Sequence, residues 1–298
     1  MQEIEIKEDV GRIDSSLTEL LGFSRSKIVK MIKENKILVN EKSVKSSYQL
    51  KALDKVTIEE YIEEEMSAEP EKMELDIVYE DDDVLVVNKA NGIVVHPAVG
   101  NNQGTLVNGL LYHSKNLSDI NGEFRPGIVH RIDAFTTGLL MVAKNNEAHA
   151  FLAQQLSEKK TTRKYWALVW GVIKHDTGTI DAPIGRSQTD RKKMCVTATN
   201  SKPAITHFKV LERYKRATLI ELNLETGRTH QIRVHMDYIG YPVVNDPVYG
   251  KRKLIDATGQ CLHAKTLGFI HPKTHEYMEF NSELPDCFTN IMEQFKNE

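Results

Sequence analysis

Three stretches of the 298-residue chain hold residue types that could act together on one substrate: a carboxylate, a phenol and guanidinium groups. The carboxylate is Asp133, in Gly127-Ile128-Val129-His130-Arg131-Ile132-Asp133, which runs into Thr136-Thr137-Gly138-Leu139-Leu140-Met141-Val142-Ala143-Lys144. Polar residues followed by a glycine and an apolar run suit a loop that enters a buried strand. A carboxylate there is held firmly at a sheet edge, although such a loop aspartate more often caps a neighbouring backbone group. The phenol is Tyr165, in Lys164-Tyr165-Trp166-Ala167-Leu168-Val169-Trp170-Gly171. Alternation places Tyr165, Ala167 and Val169 on one strand face and Trp166 and Leu168 on the other. Core packing is the default for such an aromatic. The guanidinium groups belong to Arg228 and Arg233, in Gly227-Arg228-Thr229-His230-Gln231-Ile232-Arg233-Val234-His235. Thr226 or Thr229 can cap a helix there whose early turns carry Arg228, Gln231 and Arg233. That is either an anion-recognising helix start or an exposed polar helix.

Other chemistries lack their patterns. No GxGxxG follows a strand and no GxxxxGK[ST] occurs, so neither dinucleotide nor P-loop phosphate binding is indicated. His130-Arg131-Ile132-Asp133 has one residue more than the kinase H-R-D, and neither a Gly-rich loop nor D-F-G accompanies it. The H-x-E and P-C-x-x-C elements of a zinc deaminase are missing. His230 and His235 are five apart, not the four that set two ligands on one helical face. Cys195, Cys261 and Cys287 are scattered and form no CxxC, which points to a reducing cytosol and no disulfide framework. The expected reaction uses no cofactor and no metal.

The elements that must position these groups fall into two domains. Charge marks the division: residues 1–57 carry 11 Lys+Arg and 9 Asp+Glu, whereas residues 58–74 carry one Lys and eight Glu. A run of like charge beside Pro70 reads as a solvated linker. The expected organisation is a small domain over 1–60, an acidic linker over 61–74 and a large domain over 75–298. In the large domain Leu75–Tyr79, Val84–Asn88, Tyr165–Ile173, Pro203–Val210 and Ala217–Leu224 read as strands, and Glu147–Leu156 and Thr229–Ile239 as helices. Strands outnumber helices without alternating with them, so the fold class is α+β, a mixed, largely antiparallel sheet flanked by helices. The longest apolar run, Tyr165–Ile173, has nine residues, about half of the ~18 that suggest a membrane span. Met1–Val10 is acidic and alternating, unlike a signal peptide. The expected location is cytoplasmic, with no membrane partner and a monomeric state.

In the small domain an edge strand at Glu3–Ile6 precedes a helix with Leu17, Leu20 and Leu21 at 3–4 spacing, ended by Gly22. Ser24 caps a second helix running to about Asn35. Lys36–Asn40 reads as a strand, Asn40-Glu41-Lys42 as a tight turn and Lys55–Glu59 as another strand. Arg25, Lys27, Lys30 and Lys33 recur at roughly helical intervals, which suits either a phosphate backbone or a solvated face.

Arg12-Ile13-Asp14, Ser24-Arg25-Ser26, Lys36-Ile37-Leu38-Val39-Asn40 and Leu53-Asp54-Lys55-Val56 closely resemble the S4 RNA-binding domain, in which a Gly usually stands where Leu53 does. Most of 75–298 resembles the RluA-type pseudouridine synthases. The most specific string is His130-Arg131-Ile132-Asp133 followed by Thr136-Thr137-Gly138-Leu139-Leu140. Asn88-Lys89-Ala90-Asn91-Gly92-Ile93-Val94-Val95-His96-Pro97, the Tyr165 and Arg233 strings and Leu262-His263-Ala264 support it. Departures are Ala134-Phe135 where polar residues are common, Thr137 where Ser is usual, and Gly259 where Arg often stands.

The resemblance implies isomerisation of uridine to pseudouridine in RNA without a cofactor. It implies Asp133 as the essential carboxylate, Arg233 as its salt-bridge partner and Tyr165 stacked on the flipped base. It also implies RNA contacts from Arg131, His130, Arg25, Lys27, Lys30 and Lys33. An S4 module ahead of this domain resembles the members that act on large-subunit ribosomal RNA, so 23S-type RNA or a pre-ribosomal particle is the expected partner. Competing readings are a transfer-RNA pseudouridine synthase and a non-catalytic RNA-binding ribosome-assembly factor. A glycosidase is a third, but it normally needs a second placed carboxylate, and none is marked. Lys159, Lys160, Arg163, Arg186, Arg191, Lys192, Lys193 and Lys251-Arg252-Lys253 are candidate backbone-holding cations, each of which could as well be merely solvated.

Overall fold

The structure is a computed structural model that describes residues 2–59, 68–97, 101–120, 122, 125–190, 193–250 and 254–298. The chain divides into two compact units, Met1–Glu65 and Met66–Glu298.

The first unit runs β1 (Gln2–Glu5), β2 (Gly11–Arg12), α1 (Ile13–Leu21), α2 (Arg25–Lys33), β3 (Ile37–Val39), β4 (Gln49–Leu50) and β5 (Lys55–Ile58). β5 lies between β1 and β3, antiparallel to both, and β2 pairs with β4. The apolar faces of the helices, including Ile13, Leu17, Ile28 and Met31, close over Ile37, Val39 and Val56 of the sheet. Gly22 ends α1 at φ 69°, where its missing Cβ removes the left-handed penalty. The Ser24 hydroxyl accepts the Lys27 N–H at the start of α2. Between β3 and its return, Asn40 and Glu41 both take positive φ, and Val39 and Lys42 exchange backbone hydrogen bonds across them. That is the two-residue hairpin geometry for which asparagine is suited.

The second unit contains β6 (Asp76–Glu80), β7 (Val84–Lys89), α3 (Leu106–His113), β8 (Thr137–Ala143), α4 (Asn146–Ser157), β9 (Thr162–Trp170), β10 (Thr177–Asp181) and β11 (Ile184–Arg186). It continues through β12 (Met194–Val196), β13 (Ser201–Lys202), β14 (Ile205–Arg213), β15 (Ala217–Leu224), α5 (Gln231–Tyr238), β16 (Leu262–Ile270), β17 (Tyr277–Asn281) and α6 (Asp286–Lys296). Nine strands form the main sheet in the order β10-β14-β15-β9-β16-β8-β7-β6, with β17 also on β16. Every pairing is antiparallel except β8 with β16. The sheet is therefore mixed and largely antiparallel, as the strand pattern implied.

Both faces of the central strands are covered. Along β8, Leu140 and Val142 enter one core while Leu139, Met141 and Ala143 enter another. Along β9, Tyr165, Ala167 and Val169 share the first core, and Leu168 and Trp170 pack with α6 on the opposite side. The parallel junction is tightly packed, backbone against backbone. A Cβ on Gly138, at φ 108°, would lie 2.3 Å from the Ala264 carbonyl oxygen, so no other residue fits there. Beside it the Thr137 hydroxyl meets His263 Nδ1 at 2.8 Å, and His263 Nε2 meets the Ser282 hydroxyl at 2.8 Å.

The expected linker over 61–74 differs along its length. Residues 61–67 lie outside the described residues, and residues 68–74 are bound to the large unit. Asn108 of α3 donates its side-chain N–H to Glu69 O, the Glu71 N–H donates to Asn108 O, and the Glu71 carboxylate accepts the Gly104 N–H. Among the described residues, no helix is long and apolar enough to cross a membrane.

Leu53 occupies φ 72° and is 76 % exposed. Its side chain gives little packing in return for a left-handed backbone that costs a non-glycine residue about 1–2 kcal/mol. Leu53→Gly should stabilise the first unit by about 0.5–1 kcal/mol, after part of that relief is lost to the greater freedom of unfolded glycine. Slower hydrogen exchange of the α2 and β5 amides in the intact protein is the expected result. Unchanged or faster exchange would show that Leu53 is not strained.

Candidate active site

The loop ahead of β8 is fixed at several points, and together they set the direction of Asp133. His130 Nε2 accepts the Met141 N–H at 3.2 Å, which folds the loop back on its own strand. Ile132 is buried in the core. The Thr136 N–H donates to Asp133 O at 3.0 Å, and the Gln260 side chain donates to the Thr136 hydroxyl at 3.1 Å. Lys89, at the end of β7 and 1 % exposed, donates to the carbonyls of Ala90 and Ala134, both at 2.8 Å. Burial pushes the Lys89 ammonium down to about 7, against the pull of the Asp133 charge.

Arg233 stands between two carboxylates. Its Nη1 donates to Asp133 Oδ2 at 2.9 Å, while Nε and Nη2 form a fork on Asp246 at 2.7 and 2.8 Å. Asp246 Oδ1 also accepts the N–H groups of Val248 and Tyr249 at 2.8 and 3.0 Å. The Asp246 side chain is fully buried, Arg233 is 5 % exposed and Asp133 is 19 % exposed. Burial opposes the charge on Arg233. Hydrogen bonds and charge from Asp246, then Asp133, outweigh it and raise the guanidinium above its ordinary value. The Tyr249 ring lies 5.0 Å from that guanidinium. The Tyr249 hydroxyl accepts the Met194 N–H and meets His230 Nδ1, both at 2.9 Å. His230 Nε2 is 3.9 Å from Asp133, but burial lowers its imidazole despite that carboxylate.

A cavity of about 680 Å³ opens beside this triad, and Asp133, Arg233, Tyr165, Arg163, His130 and Arg131 are among its lining residues. Tyr165 is 6 % exposed. Burial raises its phenol, Arg163 opposes this and Asp133 adds to it, so the hydroxyl stays protonated at neutral pH. Arg131 is exposed and lines the same cavity as Asp133. His130 is pushed down to about 3 by burial and then by Arg163, so it remains a neutral acceptor for the loop and brings no cation to a phosphate.

The structure thus brings Asp133, Tyr165, Arg233, Arg131 and His130 to one cavity and sends other expected groups elsewhere. Arg228 donates to Pro203 O, outside the triad. Neither Thr226 nor Thr229 caps the helix. α5 begins later, after His230 at φ 56°, and the Gln231 side-chain oxygen accepts from the Thr226 hydroxyl and the Arg228 N–H. In the first unit Arg25 and Arg12 both bond Asp14 at 2.8 Å, which holds that carboxyl well below its ordinary range. Lys27 lies 4.4 Å from the Phe23 ring centroid, and Lys30 and Lys33 are exposed. Lys159 pairs with Glu225 and Lys160 with Glu158. Arg191, Lys192 and Lys251–Lys253 lie outside the described residues.

Asp246, Lys89 and Tyr249 take part in the site without having been singled out as participants. Phe135 and Gly259 are also linked: a Cβ on Gly259, at φ 80°, would lie 2.4 Å from the Phe135 Cβ. Among the described residues, Asp81, Asp83 and His271 could hold a metal. These groups are engaged already, since His271 Nε2 donates to Asp81 and its Nδ1 accepts backbone N–H groups.

Comparison with known proteins matches residues 83–238 to the RNA pseudouridylate synthase family and residues 11–56 to the S4 domain. The chain is 54 % identical over 286 residues to an uncharacterised RNA pseudouridine synthase of Bacillus subtilis (strain 168), covering 96 % of this chain and 94 % of that protein. It is 44 % identical over 295 residues to ribosomal large subunit pseudouridine synthase D of Neisseria meningitidis (serogroup A, strain Z2491), covering 95 % and 78 %. The solved structure of human RNA pseudouridylate synthase domain containing 1 superposes with a TM-score of 0.59 at 27 % identity, covering 76 % of this chain and 96 % of that one.

Two predictions arise from this geometry. Arg233→Met leaves two carboxylates facing each other with no cation, and should destabilise the large unit by about 3–5 kcal/mol. Urea unfolding checks this, and a loss under about 1 kcal/mol would remove Arg233 from its supporting position. The second concerns acid. His263 and His96 are buried and pushed down to about 4, by burial first, from an ordinary 6.5. The unfolded chain therefore takes up protons below pH 6.5 that the folded chain refuses. Stability should fall as pH drops from 6.5 toward 4, by about 1.4 kcal/mol per pH unit for each such histidine. Melting temperatures that stay flat across that window would contradict the assignment.

Proposed function

The chain belongs to the RNA pseudouridylate synthase family and is an isomerase of uridine in RNA; from that premise we propose that its target lies in large-subunit ribosomal RNA and that Asp133 is the essential carboxylate. The observation that carries the assignment to Asp133 is its partly open position in the cavity, hydrogen-bonded to an arginine whose other side is neutralised by the buried Asp246. A carboxylate in a dry pocket tends to the neutral acid, and an adjoining cation favours the charged form that the reaction needs. The name of the Neisseria relative and the S4 match over residues 11–56 support the choice of ribosomal RNA.

The reaction exchanges one bond for another. N1–C1′ breaks, the uracil turns in the cavity, C5 bonds to C1′, N1 gains a proton and C5 loses one, so no atom is added or removed. Asp133 acts either as the nucleophile at C1′ or as the base that takes a ribose proton, and both require it ionised. Tyr165 supplies a ring face for the extruded base, and Arg131, exposed in the same cavity lining, would hold the strand it leaves. Extraction of a base costs a few kcal/mol, which favours unpaired uridines as targets. Hydrolysis of the glycosidic bond is disfavoured because Asp246 is sealed from solvent and bonded to Arg233 and two backbone N–H groups, and Glu225, which also lines the cavity, is paired with Lys159 and His207.

Asp133→Asn keeps shape and removes the charge. It should abolish pseudouridine formation, by about a thousandfold or more, while RNA affinity stays within about threefold. Product analysis of ribosomal RNA incubated with each protein checks this. Substantial turnover by the folded variant would transfer the essential role elsewhere, and free uracil from the unaltered protein would identify a hydrolase.

A further inference from the structure

One buried cation of the cavity has no partner among the described residues. Arg163, on β9 two residues before Tyr165, is 8 % exposed. It forms no hydrogen bond or ion pair with any described residue, and its Nε is buried without an acceptor. The nearby carboxylates are committed elsewhere: Asp133 to Arg233, and Glu225 to Lys159 and His207. A desolvated, unpaired guanidinium is strongly unfavourable unless something supplies the missing anion. The neighbouring chain keeps room around it. An ideal Cβ on Gly227 would lie 3.1 Å from Arg163 Nη1, and Gly227 has no positive φ that would itself demand glycine. Both Arg163 and Gly227 line the cavity that contains Asp133 and Tyr165.

We propose that Arg163 is the receptor for a backbone phosphate flanking the target nucleotide. The inference rests on the assignment of the reaction to Asp133 and adds a binding subsite to it. RNA carries its negative charge in its phosphodiesters, one on each side of every ribose. With C1′ at Asp133 and the base against Tyr165, one of those two phosphates is the anion within the cavity's reach. The planar guanidinium fork matches two non-bridging phosphate oxygens, and burial strengthens that pair relative to a surface lysine contact. Arg163 therefore differs from Lys159 and Lys160, whose charges are already paired at the surface. Its charge is left uncompensated until RNA enters.

The test combines one protein change with one charge removal in RNA. Arg163→Met keeps an apolar stem and deletes the cation. The RNA carries a neutral methylphosphonate at the 5′ or the 3′ linkage of the target, with a 2′-fluoro group on the ribose that lies 5′ of the altered linkage to keep it intact. For the unaltered protein, the methylphosphonate should weaken binding about 10–100-fold at one of the two linkages and little at the other. Arg163→Met should lose a similar factor on ordinary RNA and be indifferent to the methylphosphonate. Arg163→Lys should recover part of the loss. With reactive RNA, the deficit of Arg163→Met should lie in KM more than in the saturated single-turnover rate, with the pH profile unmoved. Independent, multiplying losses at both linkages would overturn the proposal. So would intact affinity with a shifted pH profile, which would mean that Arg163 acts through Tyr165 or Asp133. If Arg163→Met does not fold, Arg163→Gln gives the same comparison. Turnover by Asp133→Asn would instead overturn the assignment of the reaction, without bearing on the phosphate pairing.

Discussion

An arginine held between two carboxylates, Asp133 and Asp246, sets the terms for the large unit. The arginine hydrogen-bonded to Asp133 is itself nearly buried, and taking its charge out of water is costly unless it is well paired. Asp246 provides this. Locked by the guanidinium fork and by two backbone N–H groups, it is a fixed negative point that aims Arg233 and leaves Nη1 for Asp133. The role proposed for Asp133 therefore depends on a residue that is itself sealed from solvent.

The strand arrangement follows from the same requirement. Asp133 comes from the loop before β8, Arg233 from α5, Asp246 from the segment after α5 and Tyr165 from β9. These pieces lie 32 to 113 residues apart along the chain from Asp133, so only a shared rigid platform can hold them to hydrogen-bond precision. The parallel contact of β8 with β16, permitted by Gly138 and tied by His263 to Thr137 and Ser282, provides that platform. Lys89 completes it from β7 by holding the carbonyl of Ala134, directly after the carboxylate.

Local pattern made part of this legible. The alternation along Tyr165–Val169 reproduces the division between two cores, Ala217–Leu224 forms a strand over the expected residues, and Ser24 and Gly22 stand where helix-end chemistry puts them. Elements without a clean period were not read. β16, with Gly268 and three polar residues (His263, Lys265 and Thr266) inside a doubly buried strand, gives neither alternation nor a continuous apolar run. α6 does carry Phe288, Ile291, Met292 and Phe295 at 3–4 spacing, a signal present in the chain but not among the expectations. Partner identity was the harder matter. The resemblance to a known family paired Arg233 with Asp133, but nothing local in Asn245-Asp246-Pro247 says that its carboxylate is shared. Arg163 has the same sequence signature as any surface cation, and only burial separates it from Lys159. Expectation failed at the start of α5, where Gln231 takes the hydrogen bonds that a capping threonine would have provided.

Two departures from the family pattern, Phe135 and Gly259, occupy the same space. A side chain at position 259 and the Phe135 ring exclude each other, and the backbone of Gly259 is in any case bent into a conformation that few other residues adopt. The two positions are thus epistatic. An arginine placed at 259 would clash with Phe135, a residue 38 % exposed. An arginine at 259 would therefore need both a smaller residue at 135 and a changed backbone at 259 itself.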